Sequence, residues 1–148
     1  MVVIEPLQPE DRSGWEELAR GYKAFYQTPT TDAEYEATWR QLREEGSGFY
    51  ALGARLVAGD GELIGITHYF FHPFFWYGEA CYLQDLYVTE AARGRGAARS
   101  LIQAVASKAR AKGATRLYWN TQEDNLRARV LYDKVARFNG FIRYDYSL

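Results

Sequence analysis

Hydrophobic residues recur along the first part of this chain with two spacings, one typical of strands and one typical of helices. Residues 10–26 and 31–46 carry apolar side chains three or four positions apart, which predicts two helices after a short strand at residues 2–7. Thr31, followed three positions later by Glu34, is a capping-box pattern that marks the start of the second helix. The order predicted here is strand, helix, helix.

Three further strands follow, and the turn between the first two indicates an antiparallel arrangement. We predict them at residues 49–58, 63–71 and 80–88. Gly59-Asp60-Gly61 between the first two is a hairpin signal. This part of the chain therefore predicts an antiparallel meander.

Helices and strands alternate in the remainder of the chain. A helix at residues 96–112 ends at Gly113, and a strand at 115–121, a helix at 124–138 and a final strand at 141–146 follow. The complete order is βααβββαβαβ. Because strand, helix and strand form a right-handed crossover, the third meander strand should lie parallel to the next one. The predicted fold class is α/β, with a mostly antiparallel mixed sheet and one parallel βαβ crossover.

Composition limits the class of protein. The 148 residues, 47% hydrophobic and 25% charged, predict a single domain over residues 1–148. The net charge of -1 and the lack of a long apolar run predict no nucleic-acid and no membrane partner. The single Cys81 excludes an intrachain disulfide framework and makes a reducing cytoplasm the expected location. With only two histidines beside that cysteine, we expect no metal site.

A glycine-rich loop lies where the third meander strand gives way to the next helix. Its sequence is Arg93-Gly94-Arg95-Gly96-Ala97-Ala98. Absent or short side chains let a ligand approach the backbone, and the first N–H groups of a helix have no partner within the helix. Such a loop suits a phosphate group, although the same glycines are also used in tight turns without a ligand.

The loop and the order of elements resemble the GNAT superfamily of N-acetyltransferases. The phosphate motif of that superfamily is Gln or Arg, two residues, Gly, one residue, then Gly or Ala, and Arg93, Gly96 and Ala98 occupy its defined positions. The resemblance extends over residues 2–146 and implies a three-layer fold with acetyl-CoA as the acetyl donor.

A second motif of the superfamily occurs in the last predicted helix. Asn125, Ala128 and Tyr132 have the spacing at which the Asn contacts the pantetheine arm and the Tyr lies near the thioester sulfur. The resemblance implies that Tyr132 protonates the departing thiolate, and a phenol of ordinary pKa about 10 carries the necessary proton at neutral pH. A tyrosine at this position of an amphipathic helix also fits the core. The implied cofactor contacts are Leu86, Tyr87, Val88, Arg93, Gly94, Arg95, Gly96, Ala97, Ala98, Arg99, Asn125, Arg127, Ala128 and Tyr132.

The candidate base is left open by the sequence. Leu83-Gln84-Asp85 resembles the Leu-Glu-Asp run of the diamine acetyltransferase branch, in which the acidic pair handles the substrate amine. Here Gln84 replaces the first acid, while Asp85 can still bind a cation. His68 and His72 compete with Asp85 and a water chain for the base role, because histidine ordinarily titrates near neutral pH. Gln84 and Asp85 join Tyr132 as catalytic candidates.

The acceptor in this superfamily is selected largely by the first two helices and the turn between them. Tyr22 and Tyr26 lie on one face of the first helix, where they either hold an amine through cation–π contact or join the core. The run 117–125 resembles the fungal histone/polyamine acetyltransferase branch, which implies a small amine or amino acid as acceptor. The predicted acceptor contacts are Tyr22, Tyr26, Gln27, Asp85, Trp119 and Asn120.

These features predict an N-acetyltransferase that transfers acetyl directly from acetyl-CoA to the primary amine of a small molecule in a ternary complex. The alternatives are a non-catalytic acyl-CoA binding or sensing module and a protein or peptide N-acetyltransferase. The final strand stands alone where many members have two. An exposed aromatic edge at residues 141–146 should pair with another chain, so we predict a homodimer.

Overall fold

The computed structural model describes residues 1–56 and 61–148, and this part of the chain forms a five-stranded mixed sheet. Its strands lie in chain order; β1 to β4 are antiparallel neighbours, and β5 is parallel to β4. The meander and the parallel crossover are confirmed. The predicted hairpin turn, apart from Gly61, lies outside the described residues. The strands are β1 (Val2–Pro6), β2 (Phe49–Leu56), β3 (Leu63–Phe74), β4 (Gly78–Val88) and β5 (Arg116–Tyr118).

Helices cover both faces of the sheet and give the predicted three layers. α1 and α2 pack on one face, and α3 with α4 packs on the other. The capping box at α2 is confirmed: the Thr31 hydroxyl accepts from the Glu34 N–H at 3.2 Å, and the Glu34 carboxylate accepts from the Thr31 N–H at 2.7 Å. None of the described helices is long and apolar enough to cross a membrane. The helices are α1 (Arg12–Phe25), α2 (Asp32–Arg43), α3 (Ala97–Lys112) and α4 (Leu126–Val135).

Apolar side chains fill the space on each side of the sheet. Leu101 and Val105 of α3 are fully buried against β3 and β4 on one side, and Trp15 of α1 packs against Ile66 of β3 on the other. Cys81 is buried in the α3 layer, and burial raises the pKa of its thiol to about 11. A buried, protonated thiol is a poor nucleophile, so this cysteine does not suit covalent catalysis.

A β-bulge in β4 determines which side chains reach the α1 face. His68 pairs with Asp85 and Tyr69 pairs with Leu83, so Gln84 is the extra residue. Because a bulge interrupts the alternation of side chains, Gln84 and Asp85 both line the space between the sheet and α1 and α2.

The prediction of a strand at residues 141–146 is wrong. These residues form no strand, and their apolar side chains, including Phe141 and Tyr144, are exposed. An alternating hydrophobic pattern indicates a segment with one face buried, but a strand also needs another strand to hydrogen-bond its backbone. β5, the strand at that edge of the sheet, is only three residues long.

The neighbouring predicted elements are present but shorter than expected. The strand predicted at residues 115–121 becomes Arg116–Tyr118, and the helix predicted at 124–138 becomes Leu126–Val135. The end of the chain therefore contributes less regular structure to the sheet than its pattern indicates.

Candidate active site

The glycine-rich loop turns directly into α3 and leaves open space beside its backbone. Gly94 and Gly96 have φ angles of +81° and +80°, which L side chains rarely adopt, so glycine is required at both positions. A Cβ on either would meet no described atom within 4 Å. The first hydrogen bond at the helix start runs from the Ser100 N–H to the Gly96 carbonyl at 3.0 Å, and within the described chain the N–H groups of residues 97–99 reach no backbone carbonyl. This is a cradle for an anion.

Three arginines surround the cradle. Arg93 is half-buried, and Arg95 and Arg99 are exposed. Among the described residues, none of the three forms an ion pair with a carboxylate. Their charges are therefore available to a phosphate-bearing ligand.

The edge of β4 that precedes the glycine-rich loop is open on one side. β4 pairs with β5 only from Ala80 to Tyr82, and the chain after β5 makes no further strand pairing with β4 among the described residues. The segment Leu86 to Val88 has β3 on one side and, among the described strands, no partner on the other. An extended chain that carries amides can bind such an edge as an added strand. The cradle and this edge together fit the pyrophosphate and the arm of coenzyme A.

Tyr132 lies on α4 and packs edge-on against Trp119, with ring centroids 5.4 Å apart. Burial, with a smaller contribution from Tyr26, raises the pKa of the Tyr132 phenol to about 12. Tyr26 follows α1 on the opposite face of the sheet, so the two faces approach each other beside the open edge of β4. The phenol keeps its proton at neutral pH, as a proton donor must.

The other residues of the second motif cluster at the start of α4. Asn125 is the residue immediately before the helix, and its side-chain amide donates to the Thr121 hydroxyl at 3.1 Å. Ala128 is half-buried on the first turn, whereas Arg127 is exposed. The structure thus brings the motif to the same side of the sheet as the glycine-rich loop.

Two adjoining cavities of about 150 and 360 Å³ lie between the sheet and α1 and α2. We call them the acceptor cleft. Thr38, Gln84 and Asp85 line both cavities, and Lys23 and the turn at residues 28–30 line the larger one. The turn between α1 and α2 thus borders this cleft.

The remaining predicted acceptor contacts lie at several different places in the structure. Tyr22 and Tyr26 lie with ring centroids 4.9 Å apart and are half-buried. Gln27 is exposed with φ +51° and does not line the cleft. Asn120 donates to the Tyr82 hydroxyl at 3.1 Å, beside the point where β5 ends.

Asp85 is the only carboxylate among the described residues that lines both cavities. Its carboxylate Oδ2 lies 2.8 Å from His68 Nδ1. Burial raises the pKa of Asp85, but the interaction with His68, with smaller contributions from Tyr22 and Lys23, outweighs burial and holds the pKa below its ordinary value. Asp85 is therefore an anion at neutral pH.

Both histidines that competed for the base role have their ring nitrogens engaged. His68 Nε2 accepts from the Trp15 indole N–H at 2.9 Å, while Nδ1 faces Asp85. His72 lies near the other end of β3, with Nε2 2.7 Å from the Tyr118 hydroxyl and Nδ1 2.8 Å from the Pro73 carbonyl. Of these candidate side chains, Asp85 lines both cavities, whereas His68 lines the smaller one with both ring nitrogens already engaged.

Sequence reasoning missed three parts of this site. Trp15 is 53 positions from His68, so no local pattern links them. The hydroxyl of the fully buried Thr67 donates to the Asp85 carbonyl at 2.8 Å, and Lys23 lines the cleft although its position on α1 resembles an ordinary surface lysine. The proximity of Lys23 to the predicted Tyr22 was the one signal that could have found it.

Comparison with known proteins identifies the family to which the chain belongs. The family model described as "Acetyltransferase (GNAT) family" matches residues 15–138. The chain belongs to the GNAT acetyltransferase family. It is an N-acetyltransferase whose donor is acetyl-CoA, the substrate that the cradle and the open β4 edge fit.

Named relatives of this GNAT protein are N-acetyltransferases with different acceptors. The D-amino-acid N-acetyltransferase HPA3 of Saccharomyces cerevisiae is 35% identical over 137 residues, covering 91% of this chain and 84% of that protein. The thialysine N-epsilon-acetyltransferase of Bos taurus is 33% identical over 120 residues, covering 70% and 71%.

Solved structures share the fold along the whole chain. A ribosomal-protein-alanine N-acetyltransferase from Brucella melitensis biovar Abortus superposes with a TM-score of 0.82 at 26% identity, covering all of both chains. The aminoglycoside acetyltransferase AAC(6')-Iy, solved with a bisubstrate analogue containing CoA, gives 0.85 at 16% identity, covering 100% of this chain and 99% of that one. The second likeness concerns the fold alone.

Replacing Gly96 by Ala tests the cradle. We expect about a 10-fold loss of coenzyme A affinity, because the altered backbone no longer aims its N–H groups at the phosphates. Gly113→Ala is the matched control, since Gly113 caps the other end of α3 with φ +84°. Both variants should lose about 1 kcal/mol of stability, but only Gly96→Ala should weaken binding in isothermal titration calorimetry. Equal affinities for the two variants would contradict the assignment.

Proposed function

We propose that this GNAT protein transfers the acetyl group of acetyl-CoA directly to the primary amine of a free amino acid or comparable small amine, in a ternary complex within one domain. The observation that carries the proposal is the position of Asp85. This anion lines the acceptor cleft and immediately precedes Leu86–Val88, the open edge assigned to the donor. An ammonium group bound by Asp85 is thereby held next to the donor.

The residues that hold acetyl-CoA follow from the geometry above. The N–H groups of residues 94–99, with Arg93, Arg95 and Arg99, bind the pyrophosphate. The backbone of Leu86, Tyr87 and Val88 pairs with the arm, which Asn125, Arg127 and Ala128 border from α4. When bound, acetyl-CoA supplies an activated acetyl thioester.

Asp85 and Gln84 act on the acceptor. A carboxylate with a lowered pKa is a good partner for a cation and a weak proton acceptor. Asp85 therefore binds the ammonium group, and the Gln84 amide oxygen accepts a second hydrogen bond from it. The excess proton passes to water in the cleft, and the neutral amine forms the new N–C bond as the C–S bond breaks.

Tyr132 donates its phenolic proton to the departing sulfur, and water in the cleft carries the second proton, which the acceptor nitrogen loses as it becomes an amide, back to the Tyr132 phenolate. Its pKa of about 12 keeps it protonated until that moment. A phenol is a weaker acid than a thiol, so this transfer alone is uphill, and the thiol leaves neutral because the phenolate is reprotonated at once. Trp119 packs against the ring and holds it in place.

Acceptor selection follows from the charges of the cleft. Lys23 forms no ion pair with a described residue, whereas the Glu34 carboxylate is occupied by Thr31 in the capping box. A zwitterion satisfies both ends of the cleft, with its ammonium at Asp85 and its carboxylate at Lys23. Tyr22, Tyr26, Gln27, Trp119 and Asn120 remain proposed contacts around it. The acceptors in the names of the yeast and bovine relatives support an amino acid.

Lys23→Met tests this selection. Lysine and 1,5-diaminopentane differ only by the carboxylate, and we expect the wild type to favour lysine in kcat/KM by about 10-fold, the size of one charge-assisted hydrogen bond. Lys23→Met should remove the preference, and Lys134→Met on exposed α4 should keep it. Thiol release measures turnover for both enantiomers of lysine. A wild-type preference for the diamine would contradict the role of Lys23.

The same assay separates the alternatives. Binding of acetyl-CoA without turnover of any amine would favour a sensing module. Turnover of a protein substrate, seen as a mass shift, without turnover of free amines would favour a protein acetyltransferase.

Tyr132→Phe tests the proton donor. Loss of a general acid lowers kcat by about 100-fold or more while leaving the binding of acetyl-CoA unchanged. Tyr118→Phe is the control, because it removes a half-buried phenol that contacts His72 outside the cleft. Steady-state kinetics at saturating acetyl-CoA would exclude the role if kcat were the same in Tyr132→Phe and wild type.

We also propose that the protein acts in the cytoplasm as a homodimer formed through the segment 141–148. Ile142, Tyr144, Tyr146 and Leu148 alternate with polar residues and are exposed, as expected for a strand that pairs with a second copy. Cytoplasmic location is supported by the single, reduced Cys81.

Ile142→Lys tests the dimer, because it places a charge on the apolar side of this segment. Ser147→Lys adds the same charge on the other side. Sedimentation velocity at micromolar concentration should show a dimer for wild type and Ser147→Lys and a monomer for Ile142→Lys. Only monomer for the wild type, with and without acetyl-CoA, would exclude the dimer.

A further inference from the structure

A hydrogen-bonded chain runs from the core under α1 to the carboxylate of the acceptor cleft. The buried Trp15 donates its indole N–H to His68 Nε2 at 2.9 Å, and His68 Nδ1 lies 2.8 Å from Asp85 Oδ2. The Asp85 backbone is fixed as well, because its carbonyl accepts from Thr67. Asp85 is therefore held at both its side chain and its backbone.

The direction of these hydrogen bonds follows from the chemistry of indole. A Trp side chain has one N–H donor and no acceptor. His68 Nε2 must then carry a lone pair, so the ring proton of the neutral imidazole is on Nδ1 and is donated to Asp85. A proton on Nε2 would point at the indole N–H and break the first bond.

We propose that Trp15 and His68 are positioning residues that keep His68 neutral in the Nδ1–H form, so that Asp85 retains its full negative charge for the acceptor amine. The inference rests on the proposed function, in which Asp85 binds that amine. It also removes His68 from the candidates for the base, because both of its nitrogens are used to hold other groups.

The benefit of a neutral His68 lies in the charge that remains on Asp85. An imidazolium 2.8 Å from the carboxylate would compensate it and weaken its hold on a substrate ammonium. Trp15 opposes protonation of His68, because its indole N–H can only donate a hydrogen bond and therefore needs a lone pair on Nε2. The other titratable groups around the cleft are Tyr22 and Lys23 of α1, Glu34 and Tyr35 of α2, Tyr50 of β2 and Tyr69 of β3.

Trp15→Phe removes the donor and keeps an aromatic ring in the core. We measure the ratio of kcat/KM of this variant to that of the wild type as a function of pH. We expect this ratio to be near one at pH 8.5 and to fall about 10-fold by pH 5.5. Most of the fall should occur between about pH 6 and 7, where histidine ordinarily titrates. Trp39→Phe is the matched control, because Trp39 packs 5.2 Å from Trp15 in the same cluster. Its ratio should not vary with pH.

Two His68 variants separate positioning from base catalysis. His68→Asn keeps an N–H near the position of Nδ1, and we expect it to stay within about fivefold of the wild type and to abolish the pH limb when combined with Trp15→Phe. His68→Ala should raise KM for the amine by about 10- to 100-fold, the range for a hydrogen bond to a charged group, and change kcat less. A fall of kcat by 100-fold or more in His68→Asn would make His68 the base and overturn the inference.

Nitrogen NMR of the imidazoles gives a readout that needs no turnover. The chain has only two histidines, so His68→Asn assigns the signals. The wild type should show His68 as the neutral Nδ1–H form from pH 5.5 to 8. A protonated ring or an Nε2–H form over that range would overturn the inference, even if amines are acetylated. If no amine is acetylated, the proposed function fails while the NMR result still decides the state of His68.

Discussion

Strand β4 is hydrogen-bonded to β3 along its length but to β5 over only three residues, and the site depends on this difference. An unpaired strand edge normally invites association with another chain. Here the glycine-rich loop follows the open edge after a single 3-10 turn at Glu90–Ala92, so a ligand that carries both amides and phosphates is matched in order. The opening also lets Tyr26 and Tyr132 approach from opposite faces of the sheet. In the proposed site, donor and acceptor meet where the sheet fails to close.

The bulge at Gln84 supplies the second requirement, which is a polar wall on the α1 side. In a regular strand, Gln84 and Asp85 would face opposite sides of the sheet. One extra residue turns both toward the acceptor cleft, and Thr67 anchors the displaced backbone from within the core. A local irregularity of this kind costs pairing energy, which is why bulges concentrate where a side chain must be re-aimed.

Features with a local cause could be predicted from the sequence, and those with a distant cause could not. The capping box at Thr31, the end of α3 at Gly113 and the glycine-rich loop each depend on neighbours in the chain, and all three are present. The final strand failed because pairing depends on the length of β5. The bond between Trp15 and His68 had no signal, because it joins α1 to β3 across 53 positions. His68 was a reasonable candidate base by its ordinary chemistry, and only its neighbours show that it is engaged.

The two halves of the site differ in how they recognise their ligands, and this explains why the donor was easier to predict than the acceptor. In the proposed site, the donor is held largely by backbone groups, which need glycines at fixed spacing and therefore leave a motif. The proposed acceptor contacts are side chains from α1, α2, β3 and β4, whose spacing in sequence is arbitrary. Charge then becomes the best guide. Two acids beside the acceptor would suit a dication, but Gln84 stands in place of one of them and the Glu34 carboxylate is hydrogen-bonded to Thr31. Lys23 and Asp85 then supply one available charge of each sign, which is the pattern complementary to a zwitterion.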